Sequence, residues 1–298
     1  MKASIIICTY NKPNILHATL SSFLVQENKN DFEIIICDDG SKDKMTPEQI
    51  SNMDLNINYI ELPHKGRAAA RNKGLEKATG NIIIFSDDDS LIEEKFVSKH
   101  ILLHSQYDQT VVLGNRKQVY LDNKDIDTIN GSNYFRQLEK IRNIAKHDIY
   151  SYCTKPIIFK NNPSLHWLCS TTGNMSIKRS FIENYGGFDE NFSGWGFEDI
   201  ELGYRFSKYG INFYYDENLI NYHMEHARNK KDMIAEMQRN ITYFYEKYNC
   251  STDIKFYWDY FRGEISLEEF DSKTFNELSI CSKKEYFYLF KRSHLSEL

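Results

Sequence analysis

The sequence predicts an α/β fold, with a mainly parallel central sheet, flanking helices and a C-terminal helical extension. In the first hundred residues, short and nearly continuous apolar runs rich in β-branched side chains alternate with segments of helical spacing. Strands that are apolar along their whole length are typical of a parallel sheet covered on both faces. The predicted strands cover residues 3–8, 34–37, 57–62 and 82–85, and the helical patterns between them cover 16–24 and 66–78.

The second half of the chain continues this alternation. A strand is predicted over residues 174–177, a turn over 186–189 and a helix that begins near Phe197. A later helix carries one apolar stripe, formed by Ile234, Met237, Ile241 and Phe244. We therefore divide the chain into an α/β domain of residues 1–230 and a helical extension of residues 231–298.

The composition excludes several classes of protein. Its 298 residues carry a formal net charge of −5 with both signs interleaved, so we expect no nucleic-acid partner. The six cysteines form no CxxC pair, which favours a reducing compartment. The first residues have neither the length nor the cleavage site of a signal peptide, and no apolar run reaches the length of a membrane span. We predict a cytoplasmic protein.

Polar side chains follow three of the predicted strands directly. In parallel sheets, ligands bind beyond the carboxyl ends of the strands, at the point where the strand order reverses. These side chains should therefore line one edge of the sheet and face a shared ligand. They are Thr9, Tyr10 and Asn11 after the first strand, Asp38 and Asp39 after the second, and Asp87, Asp88 and Asp89 after the fourth.

The three consecutive aspartates, Asp87 to Asp89, suggest a metal site. Carboxylate oxygens suit Mg²⁺ or Mn²⁺, and either ion can bridge the phosphates of a nucleotide. The alternative is an acidic turn or a helix N-cap, because the pattern from Leu91 to His104 is helical.

The segment GWGFEDIE, residues 194–201, suggests an acceptor-binding and proton-accepting site. Trp195 offers a flat face to a sugar ring, and Glu198 or Asp199 at a helix start could take a proton from an acceptor hydroxyl. The alternative is that both acids stabilise the helix dipole while Trp195 lies in the core.

Two further groups are candidates for binding a metal ion and a diphosphate. His223 and His226 are three residues apart after an apolar segment, a spacing that can place both imidazoles on one Mn²⁺, although such pairs are also commonly structural. Lys65, Arg67 and Arg71 surround a predicted helix start and could neutralise a diphosphate, or could be ordinary surface charges.

Five blocks of this sequence, taken in order, resemble the family 2 glycosyltransferases of the GT-A fold. The first four blocks are SIIICTYN, CDDGS, GRAAARNKG and FSDDD. The fifth, GGFDENFSGWGFEDIELGYR, resembles the acceptor-side segment shared by polypeptide GalNAc-transferases, chondroitin synthases and β-1,4-galactosyltransferases. The resemblance covers roughly residues 1 to 230, and it implies a nucleotide-sugar-binding half over 1–115 and an acceptor-side half over 116–230.

The resemblance also implies roles for single residues. Thr9, Tyr10 and Asp39 would cradle uridine, with Asn11, Asp38 and Asp88 beside them, and Arg67 or Arg71 would meet the diphosphate. Asp87 and Asp89 would be the outer acids of a DxD motif and both belong to the expected metal site. Asp89 would contact the metal directly, and Asp87 would lie nearer the ribose or donor sugar. Asp199 would be the catalytic base, and Glu198 and Trp195 would contact acceptor or donor sugar. His226 would bind the metal, and His223 stands where relatives place a further ligand.

These implications define one expected reaction. The protein should transfer a hexose or N-acetylhexosamine from a UDP-sugar to a hydroxyl of a glycan, lipid-linked sugar or protein, with inversion and with Mn²⁺ or Mg²⁺, in surface polysaccharide or glycoconjugate synthesis. The alternatives are a sugar-phosphate nucleotidyltransferase, whose glycine-rich loop after the first strand is replaced by TYNKP, and a non-catalytic nucleotide-sugar-binding module. A nicotinamide dehydrogenase is disfavoured because no GxGxxG follows the first strand.

The tail over residues 282–292 mixes cations with aromatic side chains. One interpretation is peripheral contact with the inner face of a membrane where lipid-linked acceptors are made. The other is a terminal helix packed on the domain or on a second subunit, in a homodimer.

Overall fold

Nine strands form one mixed sheet in the part of the chain that the structure, a computed structural model, describes. The described residues are 2–147, 157–158, 163–226, 230–261, 264–266 and 269, so the tail over 282–292 lies outside them. The strands are β1 (Ala3–Thr9), β2 (Phe32–Asp38), β3 (Ile57–Glu61), β4 (Ile82–Asp87), β5 (Ser90–Ile92), β6 (Thr110–Val119), β7 (Lys146–His147), β8 (Asn174–Lys178) and β9 (Asn212–Met224).

Ten α-helices flank this sheet within the same described residues. They are α1 (Pro13–Phe23), α2 (Pro47–Ser51), α3 (Arg67–Lys77), α4 (Phe96–Gln106), α5 (Asn123–Thr128), α6 (Tyr134–Ile144), α7 (Arg179–Tyr185), α8 (Glu198–Lys208), α9 (Lys230–Lys247) and α10 (Thr252–Phe261). Two short 3₁₀ segments, Lys29–Asp31 and Pro163–Cys169, complete the regular structure.

The strand order is β3-β2-β1-β4-β8-β6-β9-β5, with β7 paired to β6. The first four strands in this order are parallel, as predicted, and β1 lies between β2 and β4. The chain moves outward through β2 and β3 and then returns to the other side of β1. The reversal therefore occurs at β1, and the loops after β1, β2 and β4 meet at one edge.

Both faces of the parallel strands are covered because successive side chains alternate between them. Ile5 and Ile7 pack with Leu20 of α1 and Phe96 of α4. Ile6, between them, packs in a second cluster that includes Ala68 and Ala70 of α3. The uninterrupted apolar strands seen in the sequence are therefore explained by a sheet covered on two sides.

The other half of the sheet is mixed. Strand β8 is antiparallel to β4 and to β6, while the long β9 runs parallel to β6 and antiparallel to β5. The predicted helix from Leu91 to His104 is wrong at its start. Leu91 and Ile92 belong to β5, because they pair with β9, and α4 begins at Phe96. Asp87 to Asp89 are therefore not its N-cap, which is Lys95.

Helices α9 and α10 share a core with the sheet. Met233, Met237, Ile241 and Phe244 of α9 are buried, whereas Ile234, which the predicted stripe included, is half-buried. Their cluster also contains Ile6 of β1. The described part of the C-terminal extension thus continues the hydrophobic core of the α/β domain.

A buried pair of histidines lies between α4 and the sheet. His100 Nδ1 and His104 Nε2 are 2.7 and 2.8 Å from the hydroxyl of Ser176 on β8. Burial, reinforced by His104, lowers the pKa of His100 to about 3, and burial together with Lys178 lowers the pKa of His104 to about 4. Both imidazoles are therefore neutral in the folded protein at neutral pH.

This pair should make the fold sensitive to acid. In the unfolded chain each imidazole binds a proton below about pH 6.5, whereas in the fold His104 does not until near pH 4 and His100 until near pH 3. Protonation thus favours unfolding as the pH falls from about 6.5 towards 4, by up to about 1.4 kcal/mol per pH unit for each histidine. The free energy of unfolding, measured by urea denaturation at several pH values, should depend less steeply on pH in His104→Gln than in wild type. Identical slopes would contradict this account.

Candidate active site

A cleft of about 760 Å³ lies at the carboxyl edge of the parallel strands. The loops after β1, β2 and β4 line one end of it, and the start of α8 lines its centre. Side chains from α9 and α10 complete the other end. They are Met233, Glu236, Met237, Tyr257 and Tyr260.

Three side chains form a group that can hold a metal ion: two of them, Asp89 and His226, line the polar end of the cleft, while the buried His223 does not line it. One ligand atom from each of Asp89, His223 and His226 lies within 4.8 Å of the others. Asp89 Oδ2 is 3.0 Å from His226 Nε2, and Asp89 Oδ1 is 3.4 Å from His223 Nε2. The sheet produces this arrangement, because Ser90 of β5 pairs with His223 of β9 and the backbone N–H of Met224 donates to the carbonyl of Asp89.

The chemistry of this group fits a divalent ion. Asp89 is 3% exposed, and its Oδ1 is buried without a hydrogen-bond partner among the described residues, as expected of an atom that serves as a ligand. Burial alone would raise the pKa of Asp89, but His223 and the ammonium of Lys12 lower it well below its ordinary value. The carboxylate is therefore ionised, as metal binding requires.

Lys12 lies at the centre of the polar end. Its Nζ is 3.1 Å from Asp88 Oδ1, 3.0 Å from Asp89 Oδ2 and 2.9 Å from His226 Nε2. Burial lowers its pKa, but the carboxylates of Asp89 and Asp88 outweigh this and raise it. Lys12 thus adds a fixed positive charge where the sequence had suggested only ligands for a cation.

The loop after β1 supplies an aromatic face to the cleft. The ring of Tyr10, which is 44% exposed, stacks on the ring of His64 at a centroid distance of 4.6 Å. The Asp39 carboxylate lies beside them and accepts hydrogen bonds from the backbone N–H groups of Lys65 and Gly66. A planar base could stack in this region next to fixed hydrogen-bonding groups.

Thr9 and Asp88, both predicted to bind the nucleotide, are joined to each other. The hydroxyl of Thr9 donates to Asp88 Oδ2 at 2.8 Å, and the hydroxyl of Thr19 donates to the Asp88 carbonyl at 2.7 Å. Both Thr9 and Asp88 are buried, yet both line the cleft. This bond ties the loop after β1 to the loop after β4.

Two other predicted binding residues do not line the cleft. The Asp38 carboxylate accepts hydrogen bonds from the backbone N–H of Ser41 and the hydroxyl of Tyr59. The Asn11 side-chain oxygen accepts from the backbone N–H groups of Lys42 and Asp43. In the structure these polar groups shape the loop after β2.

Asp87, predicted as a fourth residue of the metal site, stands apart from the group of Asp89, His223 and His226. Its Oδ2 forms an ion pair with Arg116 Nη1 of β6 at 3.3 Å, and both residues line the cleft. A Cβ on Gly173 would lie 2.7 Å from Arg116 Nη1 and 2.9 Å from Asp87 Oδ2, so a larger residue at this position would displace the ends of these two side chains.

Asp199 lies in the first turn of α8 at the centre of the cleft, and it is half-buried. Its Oδ1 accepts from the N–H of Ile200 at 2.9 Å, and its Oδ2 accepts from the N–H of Thr172 at 3.4 Å. Next to it, the buried Glu198 forms an ion pair with Arg71 of α3 at 2.7 Å. Of the two predicted diphosphate ligands, Arg71 is therefore engaged, while Arg67 is exposed at the start of α3.

Comparison with known proteins identifies the family. The model of Glycosyl transferase family 2 matches residues 4–162, more than half of the chain, and a model described as the N-terminal domain of galactosyltransferase matches residues 157–228. The chain belongs to glycosyl transferase family 2. The predicted resemblance to this family is confirmed, and so is the expected class of enzyme, a glycosyltransferase.

Several curated glycosyltransferases are similar in sequence to this chain. The uncharacterized glycosyltransferase YfnE of Bacillus subtilis is 29% identical over 84% of this chain and 71% of its own length. Hyaluronan synthase of Pasteurella multocida is 29% identical over 80% of the chain but only 26% of its own length. Chondroitin synthase of Escherichia coli is 30% identical over 82% of the chain and 39% of its own length. The chain thus spans well under half of these two synthases.

The solved structure of Staphylococcus aureus TarS, residues 1–349, shares the fold. It superposes with a TM-score of 0.57 at 18% sequence identity, over 81% of this chain and 65% of that one. The predicted GT-A type α/β fold is thereby confirmed for this glycosyltransferase. In the part of the chain described above, no helix combines the length and the apolar character needed to cross a membrane.

Sequence reasoning missed two cleft residues of this glycosyltransferase, Lys12 and Arg116. Lys12 directly follows the TYN segment, whose three residues were all predicted to bind the nucleotide. Its position in the sequence could therefore have identified it as a cleft residue. Arg116 carries no comparable signal, because its place depends on the pairing of β6 with β9 and β8.

The electrostatics around Asp199 suit a proton acceptor at neutral pH. Desolvation and the neighbouring Glu198 raise its pKa, and Arg71 opposes them, so that the pKa reaches about 7. Such a carboxylate is basic enough to accept a proton and still substantially ionised near pH 7.

Neutralising Glu198 should therefore move the pH profile of the enzyme. In Glu198→Gln, one negative charge beside Asp199 is removed and the Arg71 cation loses its partner, so the pKa of Asp199 should fall. If ionised Asp199 is the active form, activity rises with pH through about 7 in wild type, and this rise should shift to lower pH by about one unit in the variant. The measurement is UDP release against pH.

Glu183→Gln, which changes an exposed carboxylate on α7, is the matched control and should keep the wild-type profile. A Glu198→Gln profile that rises at the same pH as wild type would contradict the assignment of this pKa to Asp199.

Proposed function

We propose that this glycosyltransferase moves a hexose or N-acetylhexosamine from a UDP-sugar to an acceptor hydroxyl, with inversion at the anomeric carbon and with Mn²⁺ or Mg²⁺. The observation that carries the proposal is the position of Asp199, which lines the same cleft as Asp89 and His226, and these two lie in one group with the buried His223. A proton acceptor and a group of metal ligands in one cleft are what a single displacement with a nucleoside-diphosphate leaving group requires.

The donor is assigned to the polar end of the cleft. Tyr10 and Asp39 would hold the uracil and its ribose, and the exposed Arg67 would meet the diphosphate. Asp87, held by Arg116, would face the ribose or the donor sugar. A UDP donor is supported by TarS, which has been solved in complex with UDP-GlcNAc and shares this fold with a TM-score of 0.56.

Asp89, His223 and His226 would hold the ion. A ligand set of one carboxylate and two imidazoles suits Mn²⁺ better than Mg²⁺, which prefers an all-oxygen set. When bound, the ion supplies positive charge that stabilises the diphosphate as it departs. Lys12, whose Nζ contacts Asp89 and His226, adds charge of the same sign at this position.

Asp199 is assigned the role of base. The acceptor oxygen forms a bond to the anomeric carbon while the bond from that carbon to the diphosphate breaks, and UDP leaves with the electron pair. The acceptor proton passes to Asp199, whose pKa of about 7 suits the transfer. Attack opposite the leaving group inverts the configuration. A second displacement would need a nucleophilic carboxylate, and Glu198, the nearest acid to Asp199, is committed to Arg71.

The acceptor is assigned to the other end of the cleft. Trp195, half-buried beside Asp199, offers a face for a sugar ring, and Met237 and Tyr257 of the C-terminal helices lie on the same wall. We therefore extend the acceptor-side half, predicted as residues 116–230, to include α9 and α10. Family relationship to hyaluronan and chondroitin synthases supports a glycan acceptor and a role in polysaccharide synthesis.

A UDP-release screen tests this proposal directly. Purified protein is given UDP-Glc, UDP-Gal, UDP-GlcNAc or UDP-GalNAc, with and without Mn²⁺, and with simple glycosides as acceptors. One donor should release UDP in preference to the others, and chelation of the metal should suppress this release. Release of pyrophosphate from a sugar phosphate and UTP would instead indicate a nucleotidyltransferase.

The base assignment is tested by Asp199→Asn. This variant should lose transfer by a factor of about 100 to 10,000, since general-base catalysis contributes that much. Its affinity for UDP, measured by calorimetry with Mn²⁺ present, should stay near that of wild type, because the donor groups belong to other elements. Undiminished turnover would refute the assignment.

The metal assignment is tested by Mn²⁺ binding in the absence of any sugar. Electron paramagnetic resonance titration should show that Asp89→Ala and His226→Ala weaken Mn²⁺ binding at least about tenfold, because each removes one ligand atom. Asp87→Asn is the matched control, since Asp87 pairs with Arg116 instead. Equal Mn²⁺ affinity in wild type and Asp89→Ala would remove this site from the proposal.

A further inference from the structure

A turn of unusual backbone conformation precedes the base. Three of its residues have positive φ angles: Gly194 at 78°, Gly196 at 96° and Phe197 at 76°. Glycine adopts this region readily, but a phenylalanine does so only when its surroundings impose it. This turn, residues 193–197, carries Trp195 into the cleft and leads directly into α8, whose first turn holds Asp199.

Three side chains of α9 bond to the turn from outside. The exposed Arg239 donates from Nη2 to the carbonyl oxygen of Ser193 at 2.9 Å, and the other two reach further into the turn. Asn240 Nδ2 lies 3.2, 3.3 and 2.9 Å from the carbonyl oxygens of Ser193, Trp195 and Gly196, and donates to them. Glu236 Oε2 accepts the backbone N–H of Trp195 at 2.9 Å. Asn240 is only 2% exposed, so its bonds are sheltered from competing water.

The spacing of Glu236 and Asn240 explains how both side chains of one helix reach the same turn. Glu236 and Asn240 are four residues apart on α9 and therefore lie on the same face of the helix. The contact is close, because a Cβ on Gly194 would lie 2.4 Å from Glu236 Cδ. Glycine at 194 thus meets two needs, the positive φ and the approach of the carboxylate.

Phe197, at the end of the turn, is held in a different way. Phe197 occupies the N-cap position of α8, and no side chain caps the helix there. Its ring is held by edge contacts with Tyr257 and Trp258 of α10, at centroid distances of 5.9 and 6.1 Å. Rings in such contacts hold a side chain in place, but hydrogen bonds to named carbonyls define the backbone conformation.

We propose that Glu236 and Asn240 are positioning residues for sugar transfer. They hold the turn of residues 193–197 in the conformation that aims Trp195 and Asp199 into the cleft. The idea rests on the proposed function, in which Trp195 contacts the sugar and Asp199 is the base. It makes α9, from the C-terminal part of the chain, a structural component of the catalytic centre.

The test separates the hydrogen bond of Glu236 from its charge. Glu236→Leu removes the acceptor for the Trp195 N–H, whereas Glu236→Gln keeps an oxygen in the same place. Asn240→Asp has the same shape as asparagine but places a carboxylate against three carbonyl oxygens. Gln238→Ala, an exposed change on the same helix, is the control.

Three measurements are made on the full chain. Hydrogen exchange by mass spectrometry should show faster exchange of the backbone amides of residues 194–199 in Glu236→Leu and Asn240→Asp. UDP affinity with Mn²⁺ should not change, because the donor end belongs to other elements. Turnover of the UDP-sugar selected by the screen should fall roughly 10- to 100-fold in these two variants, as expected of a displaced catalytic group. Glu236→Gln and Gln238→Ala should behave like wild type.

Two outcomes would overturn the proposal. Wild-type exchange and turnover in both Glu236→Leu and Asn240→Asp would show that the turn does not depend on these two side chains. If turnover fell as far in Glu236→Gln as in Glu236→Leu, the carboxylate itself would act on the substrate. If Asn240→Asp does not fold, the two Glu236 variants decide the question. A wild-type protein that turns over no UDP-sugar would contradict the proposed function, while the exchange measurements would still test the support of the turn.

Discussion

The antiparallel pairing of β5 with β9 brings the three candidate metal ligands together at the edge of the sheet. Ser90 pairs with His223, and the backbone bond from Met224 to Asp89 extends the ladder to the residue before β5. A slip of one residue would turn the imidazole of His223 to the opposite face of the sheet. Asp89 and the two histidines, more than 130 positions apart in the chain, meet because this register holds.

A second long-range contact joins the two halves of the cleft. Arg71 belongs to α3, beside the parallel strands, and Glu198 belongs to α8, so their ion pair ties the parallel half of the fold to the helix that carries Asp199. Both partners are buried, and removing one partner of such a pair typically costs about 3 to 5 kcal/mol. The same pair sets the charge beside Asp199. Stability and the ionisation of the base are thus linked through one contact.

Much of this architecture could be predicted from local pattern. The four parallel strands, α3, β8 and the start of α8 were all visible, because apolar periodicity reports burial directly. The helix expected from Leu91 was wrong at its beginning, since three apolar or small residues beside an acidic run pair with a distant strand, and no local signal shows such pairing. For the same reason, the position of Arg116 in the cleft could not be predicted from the sequence.

The structure brings some of the predicted site residues together and uses others elsewhere. Asp89, His223 and His226 were predicted as metal ligands, and the structure brings them together. Asp38 and Asn11 were grouped with the nucleotide-binding residues, but their polar atoms are used within the loop after β2. Sequence shows which residues follow a strand. It does not show which of them turn inward to support the loop, because that choice depends on the hydrogen-bond partners that the neighbouring loop supplies.

Local sequence pattern was enough to predict the class of fold, the edge of the sheet at which the cleft lies and the residue types available there. These properties follow from periodicity and from chemical character, both of which are local. Tertiary structure alone decided that α9 supports the turn before Asp199, that Lys12 lies among the metal-ligand candidates and that Arg71 pairs with Glu198. Each of these is a contact between residues far apart in the chain, and such contacts exist only once packing has fixed the positions of both elements.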